Sequence, residues 1–93
     1  MTKRLGFVGI IVNDRRAAAA AVNRVLTEFG DIICGRMGLP YPPRGCCVIT
    51  LIVDADTDEL GRLTGRLGMI RGVSVKSALG KLAPPPAASG RPA

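Results

Sequence analysis

The chain has 93 residues and a formal net charge of +6, and it lacks histidine and tryptophan altogether. This length makes one domain of ordinary small size. Apolar residues make up 47% of it and aromatics only 3%, so the core must be aliphatic, and imidazole-based catalysis or metal binding is excluded.

Leu5 to Val12 (LGFVGIIV) reads as the first strand. The basic lead-in before it superficially resembles a secretory signal, but charged NDRR follows instead of a small-residue cleavage site. No run is long and apolar enough to span a bilayer, so a cytoplasmic protein without membrane association is expected. Asp14 or Asn13 caps a helix that begins near Arg15 and runs to about Phe29, with Ala18, Val22, Val25, Leu26 and Phe29 on one face. Arg24 and Glu28 form a surface pair four residues apart on the other face, and Gly30 ends the helix.

Asp31 to Leu39 reads as a second strand, weakened by Gly35, Arg36 and Gly38 and therefore at an edge. Pro40, Pro42, Pro43 and Gly45 make the next connection a loop. Cys47 to Val53 (CVITLIV) is apolar at nearly every position and reads as a central strand covered on both faces. Asp56, with Glu59 three residues on, makes a capping box for a helix to about Met69. Leu60, Leu63, Leu67 and Ile70 form the apolar stripe of that helix, while Gly61, Gly65 and Gly68 cluster elsewhere. Glycines there cost roughly 1 kcal/mol each relative to alanine: either the helix is marginal and held by its leucines alone, or close approach of a ligand or another backbone offsets the cost, a helix from a second copy being the expected neighbour. Val73 to Leu79 is the last strand, and 83–93 (APPPAASGRPA) reads as a flexible tail after a domain at 1–82.

The order is βαββαβ, an α+β ferredoxin-like arrangement. Right-handed crossovers place both helices on one face of a four-stranded antiparallel sheet, the first and third strands central. The helices cover one face only, yet both central strands are apolar on both. Val8, Ile10, Val12, Val48 and Ile52 are expected opposite Phe7, Ile11, Ile49, Leu51 and Val53, with the outward set left open by the register. Monomers rarely expose such a patch, so association through like faces into a dimer is expected, and a tetramer if the glycine helices also pair. Val48, Ile52, Gly61, Gly65 and Gly68 are the candidate interface residues.

Several segments resemble those of the small candidate regulators assigned to iron-only hydrogenase systems. They are Asn13-Asp14-Arg15 after the first strand, Val22-Asn23, Arg36-Met37-Gly38-Leu39-Pro40, and the run from Leu63 to Ile70 with Gly72 to Lys76. The resemblance implies an ACT-like domain, similar to the C-terminal effector domain of nickel-responsive repressors, and a regulatory, oligomeric, non-enzymatic protein. The proline-rich tail falls outside the family pattern.

No nucleophile has a base in a recognisable motif, and Asp54, Asp56, Asp58 and Glu59 lack the spacing of a calcium loop, so neither a catalytic site nor a cofactor is expected. Cys34, Cys46 and Cys47 form no CxxC pair and are expected as buried free thiols. The candidate sites for a small-molecule effector are Asn13, Asp14 and Arg15 at the helix start, where effectors of ACT-type domains sit, and Arg36 beside two glycines. The basic balance also permits a nucleic-acid-associated transcriptional regulator. Scattered arginines and the lack of aromatic platforms disfavour it.

Overall fold

The computed structural model describes residues 2–13 and 15–81, Arg15 by its backbone alone. The proposed cap Asp14, the Arg15 side chain and the tail at 83–93 therefore lie outside the described residues. The elements are β1 (Arg4–Val12), α1 (Arg15–Glu28), β2 (Ile33–Tyr41), β3 (Cys46–Ala55), α2 (Thr57–Gly68) and β4 (Val73–Leu79). The strands form one antiparallel sheet in the order β2-β3-β1-β4, with β3 and β1 central as expected.

Register decides which side chains share a face. Val8 pairs with Leu51, Ile10 with Ile49 and Val12 with Cys47. Directly opposed residues of an antiparallel pair project to the same side. Val8, Ile10, Val12, Ile49, Leu51 and Val53 therefore form one buried layer, and Phe7, Ile11, Val48 and Ile52 the other. This corrects the expected grouping, which set Val8 with Val48. Odd and even positions exchange across this pair, because the register couples residues whose numbers sum to an odd value.

The helices close the buried layer. Ala18, Val22, Val25 and Leu26 of α1 and Leu60, Leu63 and Leu67 of α2 are buried on it, with Phe29 and Ile70 packed at its margin. The start of α2 is held by the expected capping box. Glu59 N–H donates to Asp56 Oδ1 at 2.8 Å, and Asp56 N–H donates to Glu59 Oε1 at 3.0 Å. These bonds satisfy amides that a helix start otherwise leaves unpaired.

Four local expectations are corrected. Gly30 is not a left-handed helix terminator: it opens a 3-10 turn, Gly30–Ile32, and among the described residues only Gly45 and Gly72 have positive φ. Glu28 turns from Arg24 to Arg66 of α2, whose Nη2 donates to Glu28 Oε1 at 2.6 Å, because packing brings the two helices side by side. β2 starts later and runs further than Asp31–Leu39, since Pro40 has its missing N–H on an edge strand, where it costs no ladder bond. The three cysteines are not buried: Cys34 is exposed at a bulge between Ile33 and Gly35, and Cys46 and Cys47 are half-buried at the far end of the hairpin.

A close approach fixes Gly6. A Cβ built there would run into the Ala78 carbonyl oxygen and lie 2.8 Å from Leu79 Cδ2. Gly6→Ala is expected to lower stability by about 1–3 kcal/mol through overpacking against backbone, measured as a fall in the urea midpoint at unchanged slope.

Candidate functional site

Three surfaces bear on function, and the first is the sheet face opposite the helices. Strand alternation puts Leu5, Phe7 and Ile11 of β1 and Val48 and Ile52 of β3 there. β2 adds Met37, Leu39 and Tyr41, opposed to Thr50, Val48 and Cys46. Seven of these side chains are exposed, from Ile11 at 42% to Met37 at 71%. Sequence reasoning found Val48 and Ile52 but missed Met37, Leu39 and Tyr41. The signal was there, since Gly35-Met37-Leu39-Tyr41 alternates, but the strand was read as a weak edge ending at Leu39, and the prolines made Tyr41 read as loop. Charge is nearly absent from this face. Of the outward strand residues only Asp54, opposite Leu5, and Lys76, opposite Gly9, are ionic, and their signs cancel.

The second surface is Arg36. It faces the helix side, opposed to the buried Leu51, and its Nη2 donates to Asn23 Oδ1 of α1 at 3.0 Å. A neutral amide thus orients the guanidinium without cancelling its charge. The other effector candidate is far away. Asn13 is exposed past the end of β1, its N–H donating to the Gly72 carbonyl at 2.7 Å. Arg36 sits level with Val8 through Leu51, five positions back along β1, which is roughly 16 Å at 3.3 Å per residue. Asn13 and Arg36 therefore do not form one site within a chain.

The third surface is a shallow groove of about 320 Å³ lined by Phe29, Gly61, Arg62, Gly65, Arg66 and Met69. The glycines of α2 are exposed, and a Cβ on Gly61, Gly65 or Gly68 would meet nothing within 4 Å. The fold of the single chain does not require them. Gly61→Ala with Gly65→Ala is accordingly expected to stabilise the chain by up to about 2 kcal/mol, seen as a rise in the thermal midpoint. Arg66 caps one wall, its guanidinium carbon 5.9 Å from the Phe29 ring centre and its charge met by Glu28. Met69, 84% exposed, forms the other end.

Among the described residues no cluster of three His, Cys, Asp or Glu side chains could hold a metal ion, and no helix is long and apolar enough to cross a membrane. Cys34 lies six positions along β2 from Pro40, the partner of Cys47, or roughly 20 Å at 3.3 Å per residue.

Comparison with known proteins places this geometry. The uncharacterized protein TM1266 from Thermotoga maritima is 38% identical, with a TM-score of 0.82 over 85% of this chain and 99% of that one. The ACT domain of the GTP pyrophosphokinase of Chlorobium tepidum shares the fold at 22% identity, with a TM-score of 0.71 over 83% of this chain and all (100%) of that one. A formyltetrahydrofolate deformylase from Pseudomonas putida KT2440 contains the same fold at 12% identity and a TM-score of 0.59, covering 82% of this chain and 29% of that one. No curated protein matches. The ferredoxin-like, ACT-type fold expected from the order of elements is thus the fold of this chain. The model of the TM1266-like family, described as a candidate iron-only hydrogenase system regulator, matches residues 4–77, and the chain belongs to that family.

Proposed function

We propose that the chain is a regulatory domain without catalytic activity, that it works as a homo-oligomer joined through the open sheet face, and that the assembled form senses a small ligand. The observation that carries this reading is the open face itself: an apolar layer with one acid and one base, on a chain of net charge +6. The net charge opposes association of two such chains in general, and this face adds almost nothing to that repulsion. Four strands about 4.8 Å apart, with the nine residues of β1 at about 3.3 Å each, make a face of roughly 19 by 30 Å. Two such faces bury about 1,100 Å² in projection, and more once side-chain relief is included, which clears the size of a specific interface.

The family's description supports a regulatory role in an iron-only hydrogenase system. Asn13, Asp14 and Arg15 are the proposed effector residues, because a helix start favours an anion. Arg36, oriented but not neutralised, is the second. Sedimentation velocity at micromolar concentration tests the assembly. A dimer or larger species supports it, and a monomer overturns it.

A further inference from the structure

The open face carries two ions, and they are of opposite sign. Asp54 lies on β3 level with Leu5, and Lys76 lies on β4 level with Gly9. Both are exposed, and among the described residues neither is in an ion pair. They do not meet within one chain. Four residues along β1 at about 3.3 Å each, and two strand spacings of about 4.8 Å, set their backbones roughly 16 Å apart. The face-to-face dimer proposed above takes both out of water, and a charge buried without a partner opposes association. A second copy supplies each ion with the partner that its own chain lacks.

Two-fold symmetry makes that exchange reciprocal: where one residue lies over a second residue of the other chain, the reverse contact follows. Asp54 over the partner's Lys76 therefore also sets Lys76 over the partner's Asp54. This requirement fixes the axis, which lies between the sheets, crosses the midpoint of the line from Asp54 to Lys76 and runs at right angles to that line. The midpoint falls on β1 halfway between Leu5 and Gly9, at Phe7. The axis then passes close to Met37 of β2, which is level with Gly9 through Thr50. Phe7 and Met37, 58% and 71% exposed in the single chain, thus each lie against their own equivalents. The strands of the two sheets cross at roughly 70°, nearer the orthogonal class of sheet packing than the aligned one.

Simpler axes place the ions badly. An axis across the strands at Gly9 sets Lys76 against its own equivalent. An axis along the strands, between β3 and β1, sets Lys76 on the partner's Met37 and Asp54 on the partner's Leu5, two ions on apolar side chains.

We infer that two copies join with Asp54 of each paired to the partner's Lys76, about an axis that passes over Phe7 and Met37. The inference rests on the assembly proposed above and gives it an orientation. Apolar area supplies the attraction, and the two ion pairs select one arrangement among those that bury similar area.

Sedimentation equilibrium of the full chain and its charge-exchange variants tests this. Asp54→Lys and Lys76→Asp are each expected to weaken association about tenfold or more, because each sets like charges together at two places. The double exchange, Asp54→Lys with Lys76→Asp, should bring the dissociation constant back to within about threefold of the parent's. An equimolar mixture of the two single variants should associate more tightly than either alone, since both ionic contacts between unlike chains are then opposite in sign. Phe7→Glu and Phe7→Lys test the axis in the same way: each dissociates alone, and the two associate when mixed. Circular dichroism reports folding, and should an exchange at Asp54 or Lys76 disturb it, the Phe7 mixture decides alone. A parent that associates, with single exchanges that associate equally well or a double exchange no tighter than the singles, overturns this inference and leaves assembly through the open face standing. A monomeric parent overturns the assembly and this arrangement together.

Discussion

Ile52→Lys is expected to turn the assembled protein into a monomer with its fold intact. Ile52 lies in a central strand, faces away from both helices, and is 53% exposed in the single chain. Lysine there projects from the open face and touches none of the buried layer, so folding loses little. In a face-to-face dimer the substitution acts twice. Because Ile52 is about half buried beforehand, each copy forfeits roughly half of the ~1.5–3 kcal/mol that full burial is worth, and each new ammonium is desolvated without a partner, at a further cost of several kcal/mol. A combined loss of about 4 kcal/mol or more raises the dissociation constant by roughly a thousandfold. Sedimentation equilibrium with circular dichroism checks both halves: a dissociated protein with the parent's circular dichroism spectrum is expected. Unchanged association would place the interface elsewhere.

The second large effect lies on the other side of the same strand. Leu51 is wholly buried (0% exposed), and so is Leu63, from the helix layer above it. Leu51→Ala and Leu63→Ala each remove a branched side chain from a core with very few aromatics to collapse into the void. Each is expected to cost about 2–5 kcal/mol, the upper part of the range applying where neighbours cannot relax. A domain of this size has a total stability of only about 5–15 kcal/mol, so either variant approaches the unfolding threshold. Urea denaturation of the two variants measures it. Neighbouring Ile52→Lys should leave monomer stability nearly unchanged, and the contrast between adjacent residues tests the register itself.

That register marks where sequence reading stopped. The order of elements was legible because each helix announces itself: Asp56 and Glu59 cap α2, and Leu60, Leu63 and Leu67 repeat at helical spacing. The central strands were legible from their uninterrupted apolar runs. Alternation along a single strand, however, cannot say which set faces inward when both sets are apolar. Only pairing resolves it, and pairing joins Val8 to Leu51. The outer edge of the patch was hidden for another reason. Pro40 silenced the strand signal of Tyr41, although an edge strand tolerates proline. The glycines of α2 were visible as an anomaly, but their walls, Phe29 and Met69, come together only when the end of α1 packs beside α2. The ligand-binding candidates were legible as turn chemistry, and the distance between Asn13 and Arg36 was not.

The near absence of charge on the open face has a consequence for how far assembly can proceed. When two chains join there, the neutral surface of both is consumed, and what the pair presents outward is the whole of their combined excess, twice +6. A third chain is then opposed by the net like charge of the pair, an effect that reaches about 8 Å in physiological salt. On the proposed assembly, the feature that joins two copies also opposes growth, and a closed unit rather than an open stack is the expected product.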